Sequence, residues 1–481
     1  MKSLFSVFFE GFLGGFAAFL MPCIYPMLPL TISFFSKKDG TKGGAIGQAL
    51  LYGFSIILIY VVFGGLITAF LGPQALNGLA SSGWFNLSVF VLLVVFAISF
   101  FGVFEINIPS SLVNKADSIS GAKSFLGIFF MAFTLSLVSF SCTAGIIGTL
   151  LVEAVRSKQY YALVTGMAGF SLALALPFTL AAIFPSALKS LPKSGAWLNS
   201  VKVVLGFLEL ALSLKFLSSF DLVYHTGILN REVFLVLWIV IFSFLGLYLL
   251  GKIKLSHDSA LPFVSVPRLF FAIFSFAFAL YLVPGLWGAP LTAISGFSPP
   301  LSTQEYILSA GGQAAVTNTV KLPADRKYAD ILKEIPGVEG FFDYQEALAY
   351  ARKVNKPLFI DFTGHSCVNC RKMEQTIWSD ARVKARLNDD FVLVSLYVDE
   401  KKDLPVAEQY TSKVFGNKVR TVGNLNSDIQ ATQFNTNSQP FYVIADKDGK
   451  ILVKPSQYDA DVNNYLAFMD KGLEAFKLKY K

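Results

Sequence analysis

Eight apolar stretches, near residues 4–34, 46–71, 84–104, 124–152, 160–184, 196–217, 232–250 and 267–289, approach or exceed the ~20 residues a helix needs to cross a bilayer. Hydrocarbon offers the backbone no hydrogen-bond partner, so such runs must be helices that satisfy their own N–H and C=O groups. A single water-soluble globule is thereby excluded. Composition agrees, since only 15% of the 481 residues are charged, against roughly a quarter in soluble domains. The first stretch is too long for a signal peptide, lacks a clear small-residue cleavage site and continues through a proline cluster, so it reads as a membrane helix.

Charge divides the chain. Residues 1–320 carry 16 Lys+Arg and 10 Asp+Glu, while residues 321–481 carry 24 and 22. The pattern predicts a polytopic helical membrane domain over 1–291, a linker over 292–336 that mixes Pro299, Pro300, Gly311 and Gly312 with Ser and Thr, and a soluble domain over 337–481. The basic excess of the membrane part reads as topology signal, so the expected partner is the lipid membrane and not nucleic acid. Lys37, Lys38, Lys42, Lys115, Lys123, Lys189, Lys193, Lys252 and Lys254 fall in the loops after the odd spans; the even loops hold only Arg156, Lys158 and Arg231. Positive loops stay on the cytoplasmic side, which puts both termini and the soluble domain outside, where thiols tend to be oxidised.

Within 337–481, apolar residues at helical spacing run from Phe341 to Val354. Strands are expected at 358–362, 391–398, 441–445 and 451–454, and a last helix from about Ala460 to Leu478. This order gives an α/β sandwich. Cys367-Val368-Asn369-Cys370 follows the first strand at the start of a helix. There the unpaired N–H groups and the dipole favour a thiolate, so Cys367 reads as the attacking sulfur and Cys370 as the resolving one. A zinc half-site or two buried thiols would share the spacing, but there is no second cysteine pair and only His365 is close. No bound metal is therefore expected. Asp361, six residues earlier, is either a buried proton acceptor with a raised pKa or a solvent-exposed strand end. Glu374 reads as a surface charge, and His225 and His257 receive no role.

Cys23 lies in Met21-Pro22-Cys23-Ile24-Tyr25-Pro26-Met27-Leu28-Pro29, and Cys142 in Ser139-Phe140-Ser141-Cys142-Thr143-Ala144-Gly145. Pro22 and Pro26 interrupt the first span, and interrupted helices persist in membranes only where they line a cavity. A lone membrane cysteine is usually a small buried hydrophobe; two, both in interrupted spans, suggest more. Their places in the first and fourth spans suggest an inverted 3+3 repeat plus two further helices. Gly11 with Gly15, and Gly43 with Gly47, have the spacing that lets helices approach closely. Glu209, near the middle of the sixth span, is either functional or paired with Lys202 or Lys215.

Residues 340–478, with Asp361, Cys367, Cys370 and Pro440 in that order, resemble thioredoxin-like domains. The resemblance implies that Pro440 is cis and lies against the disulfide. A polar insertion from Glu400 to about Ser427 departs from the minimal form. The membrane part resembles the transmembrane domain of the DsbD/CcdA family of thiol–disulfide reductases, through the proline-rich motif around Cys23 and the cysteine of the fourth span. Departures are the absence of the family's N-terminal periplasmic domain and of a proline beside Cys142.

What that resemblance implies is a protein-disulfide reductase of the bacterial inner membrane, multi-pass, with its N-terminus and C-terminal domain periplasmic. Cytosolic thioredoxin, reduced ultimately by NADPH, would reduce a Cys23–Cys142 disulfide. That pair would reduce Cys367–Cys370, and these would reduce periplasmic thiol–disulfide proteins, with cytochrome c maturation among the processes served. No cofactor would be bound. The alternative is a small-solute or metal transporter whose thioredoxin-like domain senses redox state.

Overall fold

The computed structural model describes residues 4–19, 42–71, 82–104, 129, 132, 136, 160–183, 195–255, 258, 263–306 and 322–480. Met21 to Pro29, with Pro22, Cys23 and Pro26, lies outside these residues, as do Cys142, most of the expected fourth span and His257. The described residues form two compact units, one within 1–213 and 251–264, the other within 214–250 and 265–481.

The first unit is helical: α1 (Leu4–Phe19), α2 (Lys42–Leu71), α3 (Gly83–Phe100), α4 (Tyr160–Ile183) and the first part of α5 (Gly195–Tyr224). Its packing rests on small residues. A Cβ on Gly11 would overlap the Gly166 carbonyl, one on Gly15 the Phe170 carbonyl, and one on Gly169 the Phe8 carbonyl, so α1 and α4 touch backbone to backbone. Gly53 of α2 likewise admits the Thr179 hydroxyl of α4. The Gly11/Gly15 spacing therefore marks a helix contact, whereas Gly47 has nothing within 4 Å among the described residues. Glu209 is fully buried and, among the described residues, neither carboxyl oxygen has a hydrogen-bond partner.

In the second unit, α6 (Arg231–Leu249) and α7 (Val266–Leu282) run antiparallel. Arg268 donates to the Leu249 carbonyl (3.1 Å) and Ser275 to that of Phe242 (2.6 Å), while the Phe278 and Trp238 rings lie 6.2 Å apart. Phe270, Phe271 and Phe274 on α7 are about two-thirds exposed (68, 66 and 69%); three such rings on one helix form the kind of apolar face that bilayer covers. Among the described residues, four helices are long and apolar enough to cross a membrane: Gly83–Phe100, Asn199–Tyr224, Arg231–Leu249 and Val266–Trp287. Shorter apolar stretches occupy Phe5–Phe16, Ile46–Val62 and Val164–Leu180.

Part of the segment expected as a linker holds definite structure. After α7 come 3-10 turns at Val283–Trp287, Thr292–Ile294 and Leu301–Thr303, with Leu291, Ile294, Ser295, Ser298 and Leu301 buried. Gln304 donates to the carbonyls of Gly285 (3.2 Å), Leu286 (3.0 Å) and Tyr306 (3.0 Å), which fixes the turn against the end of α7.

The C-terminal part is an α/β sandwich. Its sheet has the order β2-β1-β5-β6, formed by β1 (Leu358–Thr363), β2 (Val392–Tyr397), β5 (Phe441–Ala445) and β6 (Ser456–Gln457); β3 (Tyr410–Thr411) and β4 (Lys418–Val419) pair separately. β1 runs parallel to β2 and antiparallel to β5. Both faces are covered, so these three strands are buried throughout. Phe359, Leu393, Tyr442 and Ile444 face one helical layer, comprising α9 (Val368–Thr376), α10 (Ala381–Asp389) and α12 (Val462–Lys479). Leu358, Ile360 and Phe362 face the other, with α8 (Tyr344–Val354) and part of α11 (Val422–Phe434).

Three elements differ from sequence expectation. The fourth strand lies at 456–457, because Ile451 makes only an isolated bridge to Ala445 and Pro455, which has no N–H to donate, precedes the stretch that pairs with β5. Helices α10 and α11 were not foreseen, although Asp380 caps the first and Thr421 with Asn424 forms a capping box on the second. The polar insertion thus folds as a 3-10 turn, the β3–β4 hairpin and the start of α11.

The glycine contacts yield a matched test. Gly169→Ala should destabilise the detergent-solubilised protein by about 1–3 kcal/mol, since its methyl meets backbone that cannot rotate away. Gly47→Ala should be neutral or stabilise by up to ~1 kcal/mol, because no described residue lies within 4 Å of a Cβ there. Parallel thermal melts of the two variants measure the difference.

Candidate active site

Period-two alternation along β1 puts Asp361 on the same face as Phe359, towards the layer that contains α9. Cys367 is the N-cap of α9 and its Sγ accepts the Cys370 N–H at 3.1 Å, the position at which the helix end stabilises negative charge on sulfur. Cys367 and Cys370 are joined by a disulfide with Cα atoms 5.3 Å apart, inside the usual range of ~4.4–6.8 Å. Cys367 is partly exposed and Cys370 is buried, so an external thiol meets the first sulfur more readily. The Gln439–Pro440 peptide is cis. Because Phe362 pairs with Phe441, Pro440 enters the sheet at the end of β1 that leads to the cysteines.

The loop before Cys367 is held by a residue the sequence reading passed over. Asp399 accepts the His365 N–H at 2.8 Å and the Ser366 N–H at 3.0 Å, and Gly364 lets its carboxylate approach closely. The available signal was a carboxylate just past the end of a strand parallel to β1, where it can cap the neighbouring loop.

Behind the disulfide lies a buried charge cluster. Asp361 is only 3% exposed and its Oδ1 has no hydrogen-bond partner among the described residues. Burial, then the Glu374 and Glu334 carboxylates, push its pKa well above the usual carboxylate range, against the opposing Arg371. Asp361 is thus a buried acid, not a solvent-exposed strand end. Glu334 is pushed up to about 7, chiefly by burial. Glu374, expected at the surface, is buried and pairs with the buried Arg371 at 2.6 Å; burial raises its pKa and Arg371 opposes the rise. Arg371 also donates to Thr363 Oγ1 at 3.1 Å. α9 looks polar in sequence yet is covered, which is why its Arg, Glu and Gln are buried in partnerships.

Part of that cover comes from the chain after α7. Gln375 Nε2 lies 3.3 Å from both the Ser295 carbonyl and Ser298 Oγ. The buried Arg231 donates to Ser298 Oγ (3.0 Å) and to the Pro299 carbonyl (2.7 Å). Val368, next to Cys367, packs so closely on Gly296 that a Cβ there would lie 2.6 Å from its Cγ1. His225, assigned no role from sequence, has a partner: its Nε2 lies 2.9 Å from Glu400 Oε2, and His365 Nε2 meets the same oxygen at 2.9 Å.

The buried acid has a thermodynamic signature. Its folded pKa is raised, so above the unfolded value of ~3.9 the folded state holds a proton the unfolded chain has lost, and stability falls as pH rises toward the folded pKa. Asp361→Asn should remove that slope. Hydrogen exchange of the β1 and β5 amides at about pH 4 and about pH 8 should show the variant's advantage growing with pH, by roughly 1–3 kcal/mol.

Residues 4–220 match the cytochrome C biogenesis protein transmembrane domain, and residues 340–446 match a thioredoxin-like domain. The thiol:disulfide interchange protein DsbD of Ralstonia nicotianae is 25% identical over 389 residues, covering 79% of this chain and 58% of that protein. DsbD 1 of Pseudomonas aeruginosa is 25% identical over 388 residues, 78% of this chain and 58% of the relative. DsbD of Vibrio vulnificus is 26% identical over 401 residues, 82% and 59% respectively. The chain therefore spans less than two thirds of the length of the curated relatives it matches. Apolar helices and the family match make it a multi-pass membrane protein. The chain is thus similar over residues 4–220 to the cytochrome C biogenesis protein transmembrane domain, over residues 340–446 to thioredoxin-like domains, and over about four fifths of its length to proteins named thiol:disulfide interchange protein DsbD.

Proposed function

We propose that this protein is a transmembrane thiol–disulfide reductase that carries two electrons at a time from cytosolic thioredoxin, through Cys23 and Cys142, to Cys367 and Cys370 and on to extracytoplasmic disulfides. The observation that carries the reading is the Cys367–Cys370 disulfide at the N-terminus of α9, above a buried acid on β1. The transmembrane-domain match and the likeness to thiol:disulfide interchange proteins support the membrane half of the path.

Each transfer is a pair of exchanges. A donor thiolate attacks one sulfur of the acceptor disulfide, the S–S bond breaks, and a mixed disulfide joins donor and acceptor. The donor's second thiolate then displaces the acceptor, which leaves with both sulfurs reduced while the donor closes its own disulfide. Two electrons pass per cycle, and protons balance the thiolates. In the outward step Cys367 forms the mixed disulfide with substrate, Cys370 resolves it, and Asp361 accepts the Cys370 proton. Pro440, at the same end of the sheet, orients the incoming chain. Pro22 and Pro26 would open the first span around Cys23, so that thioredoxin-type domains on either side reach it.

No bound cofactor is required. Thioredoxin lies near −270 mV, and about 30 mV is worth about 1.4 kcal/mol for a two-electron couple, so modest steps drive the relay from NADPH-reduced thioredoxin. The lysine distribution supports a bacterial inner-membrane orientation with N-terminus and C-terminal domain periplasmic. Eight spans arranged as an inverted 3+3 repeat plus two fit that orientation. The acceptors are periplasmic thiol–disulfide proteins, including those of cytochrome c maturation.

In cells, Cys23→Ser should leave Cys367–Cys370 oxidised, as read by alkylation and gel shift; a pair that stays reduced would refute the relay. Cys370→Ser should accumulate mixed disulfides on Cys367 that vanish on reduction, and mass spectrometry of the attached partners identifies the acceptors.

A further inference from the structure

Three side chains far apart in sequence converge within the second unit: His225 from the loop after α5, His365 two residues before Cys367, and Glu400 at the start of the insertion. Each imidazole Nε2 lies 2.9 Å from the same oxygen, Glu400 Oε2, and the donor atoms of all three lie within 4.8 Å of one another. We propose that they form a binding site for a divalent transition-metal ion of the Zn2+ type.

The donor set fits the chemistry. Two imidazole nitrogens and one carboxylate oxygen suit zinc and its neighbours, whereas calcium and magnesium favour oxygen-only shells. Bonds of ~2.0–2.1 Å in a tetrahedron put its ligand atoms ~3.3 Å apart, so an ion needs the two 2.9 Å separations to widen by a few tenths of an ångström and the two Nε2 atoms, now within 4.8 Å of each other, to settle at a similar spacing. The supports are already in place. Glu400 Oε1 accepts the Lys402 N–H at 2.8 Å, which leaves Oε2 to the imidazoles. The His365 ring lies 4.6 Å from the Tyr397 ring, and its backbone N–H is bound by Asp399.

Glu400 and His365 are almost inaccessible, with side chains 1% and 6% exposed, whereas His225 is 28% exposed. The solvent side of His225 offers a fourth position for water. Occupancy ties the loop that carries the reactive cysteines to a loop outside the thioredoxin-like domain, so the ion acts as a clamp between the C-terminal domain and the end of α5. This goes beyond the proposed electron path and does not depend on it.

The test uses the full chain in detergent with Cys23→Ser and Cys142→Ser and the Cys367–Cys370 disulfide intact, so that no thiol competes for the metal. Equilibrium dialysis against ZnCl2 should give saturable binding of one ion per chain. Loss of an outer-sphere partner alone costs about 10–100-fold in affinity, so removing a direct ligand should cost about 100-fold or more. His225→Gln can still donate to Glu400 but is a poor metal ligand, which separates metal binding from a structural hydrogen bond. Glu400→Gln provides the second arm, and circular dichroism reports whether each variant is folded. Co2+ in place of Zn2+ should give the visible absorption of a four-coordinate site, lost in His365→Asn. Absence of saturable Zn2+ binding, or binding unchanged in folded His225→Gln and Glu400→Gln, would overturn the assignment.

Discussion

A single carboxyl group is carried into a buried central strand, and the arrangement of the Cys367–Cys370 end follows from how that burial is accommodated. β1 is covered on both faces, so Asp361 lies away from solvent and burial raises its pKa. Its neighbours partly offset one another: Arg371 and Glu374 pair at 2.6 Å, and burial raises the pKa of Glu334 to about 7. Removing one member would leave another buried without compensation, which typically costs several kcal/mol. The cluster therefore constrains β1, α9 and the stretch before α8 together. That rigidity keeps the Cys367–Cys370 end in one geometry.

The same logic extends outside the thioredoxin-like domain. Arg231 at the start of α6, Ser298 in the turn after α7 and Gln375 on α9 form one chain of hydrogen bonds. His225 and Glu400 add a second connection at the end of α5. The first is buried and reaches α9, the second is half-buried and reaches the loop before it through His365, and both lead to elements that continue into apolar helices.

Much of this was legible before any coordinates. The apolar runs required membrane helices, the charge step located the soluble part, and the strand–CxxC–helix order located the redox pair, because each signal is carried by residues close together in sequence. Gly11 and Gly15 were legible for the same reason. Gly47 has identical spacing and no contact among the described residues, since spacing says which residues share a helix face and not whether another helix arrives there. Glu374 was misread because α9, Val368 to Thr376, is polar by composition, and polarity implies exposure only where nothing covers it.

By itself, then, the chain determined its helix-forming membrane segments, its alternating strands and the thiolate-favouring position of Cys367, all of which follow from local geometry and solvent. Only tertiary structure decided which distant residues meet: Asp399 with the loop at His365, Ser298 with Gln375, and His225 with His365 around Glu400. Helix and strand periodicity specify the direction of a side chain from its own backbone. They carry no information about what lies at the far end, because that depends on the path of every segment in between.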